Sequence, residues 1–200
     1  MKTWLAVIGL LLAGSVVAED QTPNAVILSA VTEFADRMVG REAEFAENKQ
    51  PLYELIDEVL LPRFDRKFSA QVVLAKHWRT ANVDQRDRFT EAFYRALVRK
   101  YADGLLEFDQ SRVEILPFRG DTSKKRAKVR STVTLNDSSK VAVDYELVRR
   151  DSGWLLFNVV IEGVSYVRNF RAEVDSEVRS SSLDAVIERL EGEAGIDSDG

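Results

Sequence analysis

A single histidine, His77, stands in this 200-residue chain, and there is no cysteine. A hydrolytic triad would have to be built on that one imidazole, and no G-x-S-x-G turn exists to present a serine. Thiol catalysis, disulfide scaffolding and cysteine-based zinc clusters are excluded by composition. Acid–base chemistry needs carboxylates or a tyrosine held in a dry cleft at a shifted pKa. The close acidic pairs, Asp57 with Glu58 and Asp84 with Asp87, fall on polar faces of helical segments and read as solvated charge. His77, in Leu74-Ala75-Lys76-His77-Trp78-Arg79, reads as a surface or helix-end residue. No phosphate loop, dinucleotide fingerprint or complete calcium loop is present. Arg119-Gly120-Asp121 and Asn136-Asp137-Ser138 are ordinary turn composition.

What the chain offers in place of reactive groups is a strand without a wet face. From Trp154 to Ile161 only Asn158 is polar, in a chain of mean hydropathy −0.20. A strand apolar on both sides is either buried centrally or lines something apolar that is not protein. The elements around it follow from periodicity. Val26, Ile27, Ala30, Val31, Phe34 and Met38 recur at helical spacing, and Pro51 and Pro62 bracket a short helix carrying Leu52, Leu55, Ile56, Val59 and Leu60. A third short helix holds Phe68, Val72 and Val73. Asn82 with Gln85 is a capping-box signal, and the helix beyond carries Phe89, Phe93, Leu97, Tyr101 and Leu105 on one stripe.

After about Gln110 the period becomes two. Val113 and Ile115, then Ala127 to Leu135, then Val141 to Leu147, then the apolar strand ended by Gly163, are separated by short turns, which dictates an antiparallel meander. Helical spacing returns with Val164, Val167, Phe170, Val174 and Val178, and a Ser-capped helix runs from Leu183 to Leu190. The fold expected is α+β: a curved four-stranded antiparallel sheet with a helical N-terminal half packed on one face. The divisions are residues 24–109 mainly helical, 110–163 sheet, 164–190 helical, and a disordered polar tail over 191–200.

Residues 1–18 have the form of a secretory leader: Lys2, an apolar run from Trp4 to Leu12, and Val16-Val17-Ala18 before two acids. The run is shorter than the roughly 20 residues a spanning helix needs. Cleavage is expected after Ala18, leaving one well-buried domain over 19–190. The chain has 28 basic and 33 acidic residues. A nucleic-acid binder would usually lean the other way. Against that balance, Lys124, Lys125, Arg126, Lys128 and Arg130 form a local basic run, read as protection of a sheet edge or as an attractive patch for an anionic membrane or partner. Arg63, Arg66, Lys67, Lys76 and Arg79 cluster before Asn82 and are expected to steer docking.

The stretches "VVLAKHWRTANVDQRDRFTEAFYRALVRKYADGLLEF" and "YELVRRDSGWLLFNVVIEGVSYVRNFRAEVDSEVRSSSLDAVIERL" resemble the MlaC family of periplasmic phospholipid-binding proteins, also called toluene-tolerance auxiliary proteins. The resemblance runs from about Asn24 to Leu190. It lies in the combination of a Lys-His-Trp helix end, a Trp-started strand, Glu-Gly-Val-Ser, an Arg-Asn-aromatic-Arg element and the closing helix. The chain departs from the family pattern at Ala75, Asn158 and Val83, where a glycine, an acidic residue and a proline are common. The resemblance implies an NTF2-like or cystatin-like sheet holding acyl chains against helices. It also implies a carrier of phospholipid between an outer-membrane lipoprotein–porin complex and an inner-membrane Mla transporter of the ATP-binding cassette class, with no cofactor.

Strand alternation assigns the lipid side. Leu155, Phe157, Val159 and Ile161 share a face without a polar residue, whereas Trp154, Leu156, Asn158, Val160 and Glu162 share one with two. Val143 and Tyr145 are expected to join the first face, with Phe93, Leu97 and Tyr101 opposite them and Val164 and Val167 at a gate around Gly163. Two other readings stand beside the carrier. One is a small-molecule enzyme using an inward Tyr145, and the other is a protein-binding adaptor whose apolar interior is ordinary core.

Overall fold

The computed structural model describes residues 22–106, 109–135 and 137–196, so the leader assigned to 1–18 lies outside the described residues. Helix α1 (Pro23–Met38) begins on a Thr22 cap and stops where Gly40 takes a positive φ of 75°. Helices α2 (Glu42–Glu47), α3 (Gln50–Leu60), α4 (Arg66–Leu74) and the single turn α5 (His77–Thr80) follow. The long α6 (Val83–Leu105) starts with the expected capping box: the Asn82 side chain accepts from the Gln85 amide, and the Gln85 side chain accepts from the Asn82 amide.

The sheet is open, antiparallel and ordered β1-β2-β3-β4-β5, from β1 (Val113–Ile115), β2 (Arg126–Thr134), β3 (Lys140–Arg150), β4 (Gly153–Ile161) and β5 (Val164–Ser165). It has five strands where the sequence suggests four. Glu162 and Gly163 both take positive φ, 49° and 79°, and turn the chain straight back so that Val160 pairs with Ser165 and Ile161 with Val164. Val164 is therefore a strand residue, 51% exposed. Helix α7 (Tyr166–Ser180) starts only after it, capped by Ser165.

Helix α1 covers one face of this sheet, and α4 and α7 pack along β4. Val26 and Ile27 of α1 pack with Val129, Leu147 and Trp154. Farther along β4, the backbone amide of Asp65 bonds the Leu156 carbonyl at 2.8 Å, so the start of α4 shields that sheet edge. Helix α8 (Leu183–Ala194) runs past the expected end at Leu190. Residues 191–196 are not a loose tail: Ala194 is fully buried, Glu191 pairs with Arg88 at 2.7 Å, Arg189 bonds Glu193 at 2.7 Å, and Gly195 closes the helix in the left-handed conformation. Only 197–200 of the proposed tail lie outside the described residues. His77 belongs to a structural clasp, its Nε2 lying 2.8 Å from Asp175 Oδ1 of α7. Lys76 and His77 together hold that carboxyl down at about 2.

Candidate functional site

Helix α6 carries its apolar stripe through six turns, and the stripe meets two different environments. In the N-terminal half, Phe93 stacks on Phe89 at 5.8 Å and meets the edge of Phe170 at 5.2 Å, both α6 rings fully buried. Alanines at 92 and 96 let α8 approach closely, so this half is solid. In the C-terminal half, Leu97, Val98, Tyr101, Ala102 and Leu105 border a cavity of about 390 Å³. Ile56 and Leu60 of α3 form a second wall, Leu156, Val159 and Ile161 of β4 a third, and Tyr166 and Val167 of α7 close the end.

None of the 17 residues lining this cavity is charged. Tyr94 turns its hydroxyl away to donate to Asp57 at 2.9 Å, and burial with that carboxylate keeps the phenol protonated. Asn158 is consumed by the frame: its Nδ2 donates to Glu146 at 2.8 Å and to Ser165 at 2.9 Å, and its Oδ1 accepts from the Val167 amide at 3.2 Å. The side chain thereby ties β4, β5 and α7 together. A carboxylate in place of this amide could not make the bond to Glu146. Tyr101 is 36% exposed while lining the cavity, so the slot reaches solvent beside it. Its ring meets the edge of Tyr166 at 4.7 Å, a contact that bridges α6 and α7 across that mouth.

Of the residues singled out in the sequence, Leu97, Tyr101, Phe157, Val159, Ile161 and Val167 line the cavity. Phe93 does not, because the helices α7 and α8 cover that part of α6. Val164 points outward from the β5 turn. Leu155 is on the opposite sheet face, and the reason is a β-bulge. Val159 sits opposite Tyr145 and Leu156 opposite Leu147, while Phe157 has no partner between them. Directly opposed residues share a face, and Tyr145 and Leu147, two apart, share one as well. Leu156 and Val159 are therefore on the same side. The face read by alternation is right from Val159 onward and reversed before the bulge, where Trp154 and Leu156 are inward and Leu155 pairs with Val148 on the far side. Val143 and Tyr145 share the inward face but do not border the cavity: Val143 sits between Ser131 and Ile161 in the sheet, and Tyr145 packs against the cluster that holds α1. Burial pushes the Tyr145 phenol up, away from the anion a base requires. Sequence reasoning missed Ile56 and Leu60, although their four-residue spacing was visible.

A family model described as MlaC protein matches residues 29–192. The chain belongs to the MlaC family. Among members, the toluene tolerance protein ttg2D of Pseudomonas putida is 29% identical over 176 residues, covering 86% of this chain and 81% of that relative. The Haemophilus influenzae protein named intermembrane phospholipid transport system binding protein MlaC is 16% identical, over 97% of this chain and 94% of its own. The fold is shared with a Ralstonia solanacearum phospholipid-binding protein solved in complex with a phospholipid, at a TM-score of 0.78 and 23% identity, over 88% of this chain and 98% of that one. An MlaC fold accounts for the architecture just described, a mixed helix-and-sheet domain with an open antiparallel sheet.

Proposed function

We propose that this protein is a periplasmic phospholipid carrier that holds acyl chain in the cavity between α3, α6 and β4 and leaves the headgroup near water. The observation that carries the reading is an uncharged slot inside a chain that is 30% charged. Its walls are mostly aliphatic and aromatic side chains, as a hydrocarbon chain needs, with the phenols of Tyr101 and Tyr166 among them and no charged group. The names of the Pseudomonas and Haemophilus relatives, the phospholipid bound by the Ralstonia protein, and the leader at residues 1–18 support it. Phe93, Val143, Tyr145, Leu155 and Val164 have no place in the proposed lipid contacts, which center on Leu97, Tyr101, Phe157, Val159, Ile161 and Val167.

The need for such a carrier is physical. At about 0.8 kcal/mol per methylene, exposing a 16-carbon chain to water costs on the order of 12 kcal/mol, so free lipid crosses an aqueous space at a negligible rate. A headgroup left in water costs nothing to desolvate. The slot holds about 13 units of roughly 30 Å³, the share of one water in the liquid and near that of a methylene. That is room for most of one 16-carbon tail. A second tail requires α6 and α7 to part at the Tyr101–Tyr166 contact, next to the Glu162–Gly163 turn. Exchange with an inner-membrane Mla transporter and an outer-membrane lipoprotein–porin complex is the pathway this reading implies. The lipid must enter those partners through an apolar conduit, since withdrawing a tail through water meets the cost above.

Native mass spectrometry of gently purified protein tests the reading. The carrier predicts diacyl phospholipid bound near one per chain and transferable between vesicles. An empty chain that moves no lipid would favor an enzyme or a protein adaptor.

A further inference from the structure

The basic run in β2 has no role at the cavity, yet it joins a local excess of positive charge on an acidic chain. Alternation along β2 puts Ala127, Val129 and Ser131 on the face that meets α1 and Arg126, Lys128 and Arg130 on the other, where the Arg126 guanidinium lies over the rings of Phe68 and Phe157. Two surface grooves meet on these side chains. One, of about 540 Å³, lies between α4, β2 and α7 and holds Arg126, Lys128, Arg168 and Arg171. The other, of about 470 Å³, lies between β2 and the 117–121 loop and adds Arg119, Lys124 and Arg130. Arg126, Ala127 and Lys128 line both, so the grooves form one surface.

That surface carries seven cations and three carboxylates, a net of +4 in a chain whose formal net charge is −5, which leaves −9 on the remainder. The carboxylates are already engaged. Asp144 pairs with Lys128 at 3.0 Å, Glu146 with Arg168 at 3.4 Å, and Asp121 accepts from Ser123 within its own turn. Arg119, Arg130 and Arg171 form no ion pair among the described residues, and Lys124 acts on Asp121 only at longer range, helping to hold that carboxyl down. Of the five helical cations marked for docking in the sequence, three are already paired, Arg63 with Glu33, Arg66 with Glu91 and Lys76 with Asp175, while Lys67 and Arg79 form no ion pair among the described residues.

We propose that the continuous groove surface of β2, the 117–121 loop and the start of α7 is a docking face for an anionic phospholipid bilayer. Protein interfaces center on buried aromatic or aliphatic anchors ringed by polar groups. None of the large exposed hydrophobic side chains, among them Val39, Val83 and Val164, lies in either groove. A diffuse negative surface asks for Lys and Arg alone. The acidic remainder sets the orientation, since any other approach is repelled. Phe157, Asn158 and Val167 line both the first groove and the apolar cavity, so docking brings the back wall of the cavity toward the membrane.

Flotation of the chain from residue 19 onward with vesicles of phosphatidylcholine alone, or mixed equally with phosphatidylglycerol, tests the assignment. Binding is expected only to the anionic vesicles and is lost in high salt. Each Lys or Arg is worth roughly fivefold at such a surface, so Arg119→Gln with Lys124→Gln and Arg130→Gln should weaken partitioning about a hundredfold. A control with the same charge loss, Arg41→Gln, Lys49→Gln and Arg95→Gln, should bind nearly as the parent does. Equal binding to both vesicle types, or equal loss in both variants, overturns the proposal. So does capture on polyglutamate, abolished by the first variant, without vesicle binding, which would assign the face to an acidic protein. Bound lipid is read by native mass spectrometry in the same samples. Loss of cargo in the first variant would move these cations into the cargo site and overturn the docking role. A parent that binds anionic vesicles but carries no lipid would sink the carrier reading and leave the docking face standing.

Discussion

The two halves of α6 have the same kind of apolar stripe and opposite fates. Around Phe89 and Phe93 the stripe is matched by Val167, Phe170, Val174, Ile187 and Leu190 from α7 and α8. Around Tyr101 and Leu105 it faces the cavity, with β4 across the gap. An apolar stripe is a property of one helix, whereas closure depends on what arrives opposite it. The solid half anchors the fold. The hollow half leaves apolar wall without partner atoms, which costs stability until a ligand supplies them.

Substitutions in the two halves should separate stability from binding. The largest loss of stability is expected for Phe93→Ala, about 3–5 kcal/mol for a fully buried ring. At roughly 2–4 °C per kcal/mol for a chain this size, thermal unfolding should shift down by about 10 °C, with cargo retained in the folded fraction. Val159→Asp should invert that pattern. An unpaired carboxylate beside an acyl chain loses several kcal/mol of hydration, so lipid occupancy by native mass spectrometry should vanish. In the empty protein the charge can hydrate through the mouth at Tyr101, and Tm should fall less than for Phe93→Ala. Leu97→Ala should cost about 1 kcal/mol in urea unfolding, below the 2–5 usual for a packed leucine, because part of its surface already borders empty space.

The smallest effect lies at the rim of the solid half, and it is a gain. Ala75 ends α4 with φ 50° and ψ −112°, a conformation that suits glycine and strains a residue with a Cβ. Relief of about 1–3 kcal/mol of strain, less about 0.4–1 kcal/mol of added unfolded-chain entropy, predicts that Ala75→Gly stabilizes by about 1 kcal/mol. An unchanged or lowered urea midpoint would show that the backbone there is relaxed.

The order of elements was legible because each carries a local signal: the capping box at Asn82, the prolines around α3, the period-two runs separated by turns. The strand face was legible only in part. A bulge has no signature in Leu155-Leu156-Phe157-Asn158, since every alternative register there is apolar. The extra residue appears only when β3 fixes the pairing. Val164 misled because its spacing to Val167 is helical, while the Glu-Gly pair before it makes a hairpin. Phe93 misled because a stripe residue against another helix looks the same in sequence as one against a void. Glu191 looked like part of a solvated tail because its arginine partner, Arg88, is distant in the chain.

The claim that acyl chain occupies the slot between α3, α6 and β4 is tested most directly by photocrosslinking. A phospholipid with a diazirine at the end of its acyl chain would be loaded from vesicles, irradiated, and the adducts mapped by peptide mass spectrometry. The account predicts labels on the α3 residues Ile56 and Leu60, on α6 from Leu97 to Leu105, and on Val159 or Ile161, with none at Phe93 or Val164. Labels confined to the outer face at Leu155 and the β2 grooves, or their absence from all three walls, would contradict it.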